Sequence, residues 1–412
     1  MIKVAVLGAS GYGGAEVLRI LSQHRGVKIN YVGANSKAGL PLYKSFGNFY
    51  MPGNSSRVQD SKLNFTESKS QDSKDSIESN LQNIGNLPLQ DLDLEQVASE
   101  NDCIIAATPH EFLAHILSEK ILKKCVVIDL SADFRLKNPA KYNEYYNFTH
   151  KNLALLKQAT YGLCEFNSSA IKQAKLIANP GCYPTCSTFA IAPFLRLIEP
   201  QSIIIDAKSG VSGAGRGAKM DNLFCEVNEN IKAYSLINHR HVAEIEQNLN
   251  DFLNGNFKLD SMQFIESKSQ NAKDSKSRDS KSLTESKSEI SITFTPHLVP
   301  MNRGILVTSY ASLKPQYKNI TQSNLDSMLS EFYADKFFVR VLRNGEPPQT
   351  RWVKGSNFSD VSVRLDSRNN RLIMMGALDN LIKGAAGAAV QNFNIHFDFK
   401  ESESLDSLPT FP

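Results

Sequence analysis

The fold of this chain is decided by residues 3–14, which read KVAVLGASGYGG. Strand-forming residues end in a loop with the spacing G-x-x-G-x-x-G, and a helical pattern follows directly. Glycines permit a tight turn and let backbone N–H groups approach a phosphate, and the start of the following helix adds the positive end of its dipole. The stretch therefore predicts a strand, a dinucleotide-binding loop and a helix. The residues expected to contact the cofactor are Gly8, Ser10, Gly11, Tyr12, Gly13 and Gly14.

Length and charge limit what the chain can be. Its 412 residues are enough for two or three domains. With 46 Lys and Arg against 42 Asp and Glu, the net charge of +4 gives no reason to expect nucleic acid or a membrane surface as the main partner. The sequence holds no run of about 18 apolar residues, and its first residues resemble a strand more than a signal peptide. Because the six cysteines show no disulfide framework, we expect a cytoplasmic protein in a reducing environment.

Beyond the glycine loop, strand and helix patterns alternate. Apolar strand candidates lie at residues 29–33, 103–107 and 126–130. This βαβ alternation predicts an α/β fold with a doubly wound parallel sheet of Rossmann type. Longer strand candidates then follow at residues 203–208, 290–294, 304–313 and 337–342. They predict a second, α+β domain with an antiparallel or mixed sheet, and a helical pattern at residues 378–394 closes the chain.

Two segments differ in composition from the rest of the chain. Residues 54–83 and 266–289 are both of low complexity, rich in Ser, Lys, Asp and Glu and with few aromatic or β-branched residues. Such segments bury too little apolar area to offset the entropy of ordering. We expect both to be disordered surface insertions, which cost little stability, and a docking or regulatory role is the alternative.

The residues after the second strand predict which dinucleotide binds. An Asp or Glu at the end of that strand would bind the ribose hydroxyls of NAD and repel a 2′-phosphate. Here the strand runs into Asn35, Ser36 and Lys37, and the last two can bind a 2′-phosphate. NADP(H) is therefore the expected cofactor, with an ordinary solvated role for Lys37 as the alternative.

The predicted chemistry is concentrated in residues 179–186, which read NPGCYPTC. Cys182 follows a Pro-Gly turn and precedes an apolar, helix-like run at residues 187–198. A thiol beside a helix N-terminus has a lowered pKa and is enriched in the reactive thiolate, so Cys182 is the predicted nucleophile. Cys186 could face the same side, but no second Cys/His pair supports a metal site, and no metal is expected.

A nucleophilic cysteine needs a partner that moves protons. Of the eight histidines, His239 and His241 form the best candidate pair, because side chains two residues apart on an extended segment point to the same side. His241 also stands just before a helical pattern, where the helix dipole disfavours an imidazolium. The sequence leaves open which of the two moves the proton. His110 and His297 are weaker candidates for lining a pocket.

Several loops carry groups that could bind anions. Arg135 ends the loop SADFR, and Arg216 ends the Gly/Ser-rich turn SGVSGAGR. Either arginine could bind a substrate phosphate through bidentate bonds, and a structural ion pair is the alternative for each. A glycine-rich turn can point successive N–H groups at a cofactor, and we expect Ser212 and Gly213 to do so.

The same motifs, in this order over nearly the whole chain, resemble the type 1 N-acetyl-γ-glutamyl-phosphate reductase family. They include GASGYGG at 8–14, DLSADFR at 129–135, NPGCYPT at 179–185, HRH at 239–241 and DNLIKGAAG at 379–387. The resemblance implies NADPH-dependent reductive dephosphorylation of N-acetyl-L-glutamyl 5-phosphate to N-acetyl-L-glutamate 5-semialdehyde in arginine biosynthesis, through a thioester on Cys182. It also implies that Glu165 binds substrate and that the enzyme is a homodimer or homotetramer.

The resemblance also implies a domain division. An NADP-binding Rossmann domain would comprise residues 1–181 and be completed by residues 376–400. A catalytic and oligomerisation domain would comprise residues 182–375, and residues 401–412 would form a polar tail.

Three positions depart from the family pattern. Glu111 and Cys164 stand where Gly and Pro are usual, and Val242 stands where Thr or a similar residue is usual. Each could change the shape of a loop without removing a reacting group.

Two other functions stay compatible with the sequence. One is a related acyl-phosphate reductase, such as an aspartate-semialdehyde dehydrogenase or an aminoadipate-carrier reductase, and the other is an NADP-binding protein without catalysis.

Overall fold

The computed structural model describes residues 1–34, 37–51, 84–257 and 289–411. Ser36 and the two low-complexity segments lie outside these ranges, except for Glu289. Within them the chain forms two β-sheets, one parallel and one mixed. The predicted fold class is thereby confirmed. In these ranges no helix is both long and apolar enough to cross a membrane.

The first sheet is parallel and has six strands. In chain order they are β1 (Ile2–Leu7), β2 (Val27–Gly33), β3 (Cys103–Ala106), β4 (Val126–Asp129), β5 (Thr160–Tyr161) and β6 (Leu176–Ala178). Their order across the sheet is β2-β1-β3-β4-β6-β5, and every neighbouring pair is parallel. Mainly apolar runs predicted β1 to β4, because a parallel sheet is buried on both faces, whereas the short strands β5 and β6 were not predicted.

The second sheet has seven strands of mixed direction. In chain order they are β7 (Ile204–Ser209), β8 (Lys232–Ala233), β9 (Thr293–Leu298), β10 (Ile305–Ser312), β11 (Val339–Val341), β12 (Ser359–Asp366) and β13 (Arg371–Leu378). Their order is β11-β12-β13-β10-β7-β9-β8, in which β7 with β9 and β11 with β12 pair in parallel. The antiparallel β12–β13 pair was not among the predicted strands.

Helices connect and cover the two sheets. The α-helices in the described ranges are α1 (Tyr12–Leu21), α2 (Leu94–Glu100), α3 (Phe112–Ile116), α4 (Glu119–Lys124), α5 (Ala140–Tyr146), α6 (Leu153–Gln158), α7 (Cys164–Ile171), α8 (Cys182–Ile191), α9 (Phe224–Val227), α10 (His241–Leu253), α11 (Gln322–Phe332) and α12 (Gly387–His396). A π-helical turn, Ile382–Ala386, leads into α12.

Side chains alternate between the two faces of the parallel sheet. Val4 and Val6 on β1 pack in one core with α1 and α12. Ala5 and Leu7 pack on the opposite face in a second core, which includes α3 and α4. The C-terminal helix α12 therefore belongs to the same core as the glycine-loop helix. Its Phe393 is fully buried there.

The mixed sheet buries one face. Ile305 and Val307 on β10 point into a core that also contains residues of α8, α10 and α11. Alternate residues on the opposite face, such as Leu306 and Tyr310, stay half-exposed. Helix α8 therefore starts at the end of the parallel sheet and runs beneath the mixed sheet.

Two helical predictions need correction. Helix α8 begins at Cys182 rather than at residue 187, because Pro184 lies in the first turn, where a missing N–H costs no hydrogen bond. It ends at Ile191, close to Pro193. The helical pattern predicted for residues 378–394 is divided between the end of β13, the π-helical turn and α12.

Candidate functional site

Three loops meet at the carboxyl edge of the parallel sheet, where folds of this kind bind their ligands. They follow β1, β4 and β6 and lead to the glycine loop, Arg135 and Cys182. Asp129, at the end of β4, holds the middle loop, because its carboxylate accepts hydrogen bonds from the backbone N–H and the hydroxyl of Ser131, both at 2.8 Å.

Cys182 is half-buried at the first position of α8 and lines a cavity of about 420 Å³. The same cavity is lined by two histidines, three tyrosines and three cationic side chains, namely His239, His241, Tyr145, Tyr183, Tyr234, Lys219, Lys232 and Arg240. The structure thus brings together the predicted nucleophile and both predicted histidines. Gly384 of the π-helical turn packs on the nucleophile, since a Cβ there would lie 2.6 Å from the Cys182 Cβ.

The resting Cys182 thiol is protonated at neutral pH, so the expectation of an enriched thiolate is wrong. Burial raises the pKa of Cys182 to about 11, and the Tyr183 backbone N–H and the Arg135 charge offset only part of this rise. Withdrawing a thiolate from water costs more than the helix start returns. Attack by Cys182 therefore requires a base.

His241, the first residue of α10, is placed to be that base. Burial, reinforced by nearby positive charge, holds the pKa of His241 well below its usual value, so the ring is neutral. Its Nδ1 is buried without a hydrogen-bond partner in the described part of the chain. Its Nε2 faces the residue before the nucleophile, because a Cβ built on Gly181 would lie 2.7 Å from that nitrogen. A neutral imidazole here can accept a proton.

His239 shapes the site through its contacts. Its Nδ1 accepts a hydrogen bond from the backbone N–H of His241 at 3.1 Å, which satisfies one of the free N–H groups at the start of α10. Its ring packs edge-on against Tyr183 and Tyr234, with centroids 5.7 and 5.5 Å away. Burial and the charge of Arg240 lower the pKa of His239 to about 4. Since its Nδ1 is occupied as an acceptor, His239 is less suited to take the thiol proton.

No sequence pattern singled out Glu244, which connects the two halves of the site. Glu244 is fully buried on α10, three residues after His241. Its Oε1 accepts hydrogen bonds from the Gly181 N–H and the Tyr161 hydroxyl, each at 2.8 Å, and its Oε2 pairs with Arg135 at 3.3 Å. Glu244 thereby ties the turn of the nucleophile to the helix of the base. The spacing from His241 was the available signal, because residues i and i+3 share a helix face.

Arg135 is buried and does not line the cavity of Cys182. Its Nε and Nη2 donate to the carbonyls of Asn179 and Leu130, both at 2.7 Å, and its Nη1 pairs with Glu244. Burial lowers the pKa of Arg135, but Glu244, Tyr146, Tyr161 and Asp129 together raise it above its usual value. The expected phosphate contact is not supported for this residue, because each of its three guanidinium nitrogens already binds a protein group.

A second cavity, of about 860 Å³, lies beside the glycine loop. It adjoins the first, because Lys219 and Asn222 line both. Arg216 lines this second cavity and donates to the Ser10 and Ser45 carbonyls at 2.9 and 3.0 Å. Arg216 is therefore placed with the predicted cofactor loop and not beside Cys182, which argues against its expected contact with a substrate phosphate.

The glycine loop has the shape of a phosphate cradle. Gly8 has a φ of +74°, and a Cβ there would lie 2.2 Å from the Ala107 carbonyl oxygen. A Cβ on Gly14 would lie 2.4 Å from the Gly8 carbonyl oxygen, so the helix packs directly on the loop. Helix α1 then begins at Tyr12, which lines the second cavity. Free N–H groups at that helix start fit a pyrophosphate.

The remaining predicted cofactor contacts lie near these cavities or outside the described residues. Ser212 lines the second cavity, where its hydroxyl accepts a hydrogen bond from Asn380 at 2.9 Å. Gly213 lines the first cavity. Lys37 is half-buried just beyond β2, whereas Ser36 falls outside the described residues.

Glu165 does not line the cavity of Cys182, which corrects its expected substrate contact. It is buried on α7, where its Oε1 forms an ion pair with Lys383 and accepts a hydrogen bond from Gln391 at 3.0 Å. Lys383 belongs to the π-helical turn, the segment that also packs on Cys182. Glu165 thus pairs with the buried ammonium group of Lys383, in the π-helical turn next to the site.

The three departures from the family pattern lie outside the lining of the Cys182 cavity. Glu111 has a φ of +70°, a left-handed conformation that Gly adopts at little cost, which accounts physically for a Gly at this position. Cys164 is buried at the start of α7, and its thiol donates to the Gly162 carbonyl at 3.6 Å. Val242 is buried in the core of the mixed sheet.

Two family profiles match the chain. The semialdehyde dehydrogenase NAD binding domain matches residues 3–174, and the semialdehyde dehydrogenase dimerisation domain matches residues 182–265 and 278–380. Among curated relatives, N-acetyl-gamma-glutamyl-phosphate reductase of Lachnoclostridium phytofermentans is 44% identical over 414 residues, covering 100% of both chains. The enzyme of the same name from Campylobacter jejuni subsp. doylei is 44% identical over 406 residues, covering 98% of each.

Solved structures of low sequence identity share the fold. Aspartate semialdehyde dehydrogenase II of Vibrio cholerae, complexed with ASA, has a TM-score of 0.59 at 16% identity and covers 97% of this chain and 98% of its own. Aspartate semialdehyde dehydrogenase of Candida albicans with NADP has a TM-score of 0.59 at 15% identity, with coverage of 96% and 98%. At these identities the likeness concerns the fold alone.

Proposed function

We propose that this chain, which belongs to the N-acetyl-gamma-glutamyl-phosphate reductase family of semialdehyde dehydrogenases, reduces N-acetyl-L-glutamyl 5-phosphate to N-acetyl-L-glutamate 5-semialdehyde with NADPH. The reaction is a step of arginine biosynthesis. The observation that carries the proposal is the joining of two cavities, one containing Cys182 and His241 and the other beside the glycine loop. The full-length identity to relatives of that name selects the substrate within the fold family.

In the proposed reaction Cys182 is the nucleophile and His241 moves the proton. The neutral His241 ring takes the thiol proton as the bond between Sγ and the acyl carbon forms. The C–O bond to the phosphate then breaks, and phosphate leaves with that electron pair and takes up the proton from His241. A thioester on Cys182 results. Glu244 supports this step, because it holds the Gly181 N–H next to the nucleophile at 2.8 Å.

When bound, NADPH supplies the hydride that reduces the thioester carbonyl. A thioester suits this step because its carbonyl accepts hydride more readily than a carboxylate does. The bond between Sγ and carbon then breaks as the aldehyde C=O forms, and the departing thiolate is protonated through His241. One proton is thus consumed in each turnover.

The cradle around Gly8, Gly14 and the start of α1 would hold the pyrophosphate of the cofactor. Lys37, beyond β2, would bind the 2′-phosphate, which supports NADP(H) over NAD(H). Ser212 and Arg216 line the cavity beside the glycine loop and would contact the cofactor there. The residues present therefore fit a dinucleotide.

The domain division and the assembly are part of the same proposal. Residues 1–181 with residues 376–400 would form the cofactor domain, and residues 182–375 the catalytic domain. A homodimer or homotetramer is supported by the profile described as a dimerisation domain and by the half-exposed face of the mixed sheet. The cytoplasmic location stays a prediction.

The reverse reaction tests the proposal. N-acetylglutamate 5-semialdehyde, phosphate and NADP⁺ are supplied, and NADPH formation is followed by absorbance, with aspartate semialdehyde and NAD⁺ as parallel controls. Phosphate-dependent NADPH formation that prefers the acetylated aldehyde and NADP⁺ is the expected result. Activity only with another aldehyde would overturn the substrate, and NADP⁺ binding without any turnover would overturn the reaction.

A further inference from the structure

Arg135 and Arg216 were the predicted contacts for the substrate phosphate, but both bind protein groups instead. The phosphate that departs in the reaction therefore needs another cation. The phosphate is bonded to the carbon that Cys182 attacks, so its cation must line the same cavity. The cations that line it are Lys219, Lys232 and Arg240. These three are the candidates in the described part of the chain.

Lys232 is already paired. Its Nζ lies 2.9 Å from a carboxylate oxygen of Asp221, which lines the same cavity. A phosphate there would have to displace or oppose that carboxylate. Like charge beside a phosphate dianion disfavours binding, so Lys232 is the weakest of the three.

Lys219 lines both cavities and therefore stands at their junction. A cation at that junction is near the cofactor cleft as well as the substrate. Lys219 is therefore suited to bind a group that lies between cofactor and substrate. Its position is not specific for the phosphate that departs next to Cys182.

Arg240 stands between the two histidines in sequence, at the start of α10, and lines the cavity with Cys182. Its side chain is exposed, and no ion pair or hydrogen bond of its guanidinium is seen in the described ranges. Its charge reaches the site, because it contributes to the lowered pKa of both His239 and His241. A guanidinium also matches a phosphate in a bidentate way, which an ammonium does not.

We propose that Arg240 binds the phosphate that leaves from the acyl carbon. This inference rests on the proposed function, since it names the group that binds one part of that substrate. With phosphate on Arg240, the leaving oxygen lies beside His241, which then holds the thiol proton. The same contact would hold inorganic phosphate in the reverse direction, where a phosphate oxygen attacks the thioester and Cys182 departs.

The test is the Michaelis constant for inorganic phosphate in the reverse reaction. Arg240→Ala should raise it about 10- to 100-fold, the loss expected for a charge-assisted hydrogen-bonded pair, whereas the constant for NADP⁺ should stay within about threefold. Arg240→Lys should recover part of the loss, because it restores charge without the bidentate geometry. Arg343→Ala, an exposed arginine outside both cavities, is the matched control and should match wild type.

Three results would overturn the inference. They are an unchanged constant for phosphate in Arg240→Ala, a larger rise in Lys219→Ala than in Arg240→Ala, and equal rises in the constants for phosphate and NADP⁺. Failure of the proposed function looks different, because wild type would then show no phosphate-dependent turnover of the acetylated aldehyde. In that case protection of Cys182 from iodoacetamide by inorganic phosphate provides the readout. Protection in wild type that is lost in Arg240→Ala supports the inference, and equal protection in both overturns it.

Discussion

Replacing Gly181 by Ala perturbs the site at the point where its reacting parts converge. The added Cβ would lie 2.7 Å from His241 Nε2, 2.9 Å from Arg135 Nη1 and 3.0 Å from Glu244 Oε2. Ordinary contacts begin at 3.4 Å, so at least one group must move by 3.4 − 2.7 = 0.7 Å. Arg135 and Glu244 are tied into the buried network, and His241 is the member with a free ring nitrogen. We therefore expect the base to move away from the thiol.

The expected cost is large for catalysis and modest for folding. A displacement near 1 Å at a reacting group costs about 100-fold in rate, and overpacking a buried site costs about 1–3 kcal/mol. The assay is single-turnover acylation of Cys182, followed as NADPH formed from aldehyde and NADP⁺, together with urea unfolding. Gly47→Ala is the matched control, because a Cβ there meets nothing within 4 Å. A Gly181→Ala variant that acylates at the wild-type rate would refute the proposed convergence.

Three further predictions concern single residues. The alkylation rate of Cys182 by iodoacetamide, read on its own peptide by mass spectrometry, should keep rising from pH 8 to pH 10, because burial raises its pKa to about 11; a plateau below pH 8 would contradict this. Glu111→Gly should stabilise the fold by about 0.5–1 kcal/mol in urea unfolding with unchanged turnover, since it removes a left-handed Glu; destabilisation would count against this reason. Glu165→Gln should cost about 3–5 kcal/mol because it leaves a buried ammonium unpaired, whereas Glu95→Gln, at an exposed ion pair, should cost less than about 1 kcal/mol.

Local sequence was enough for features that depend on local geometry. The glycine loop needs a positive φ at Gly8 and close approach at Gly14, and these demands are visible as glycines. The parallel strands are short apolar runs because both of their faces are buried. The positions of Cys182 and His241 at the starts of helices could also be predicted locally, whereas their catalytic roles stay predictions.

Features that depend on distant contacts could not be predicted in the same way. Arg135 ended a loop, and the sequence left open whether it binds a phosphate or forms a structural ion pair; its partner Glu244 lies 109 residues away in sequence. The raised pKa of Cys182 follows from its burial and not from its helix alone. Glu165 followed a family motif, yet its partner Lys383 lies 218 residues further on. In each case the deciding group comes from another part of the fold.

The central claim is that the reaction passes through a thioester on Cys182. The most direct measurement supplies N-acetylglutamate 5-semialdehyde and NADP⁺ without phosphate, and combines NADPH absorbance with intact-protein and peptide mass spectrometry. The claim predicts a burst of one NADPH per active site and one N-acetylglutamyl group on the peptide that contains Cys182, both absent in Cys182→Ser. Steady turnover without an adduct on that peptide, or an adduct that persists in Cys182→Ser, would contradict it.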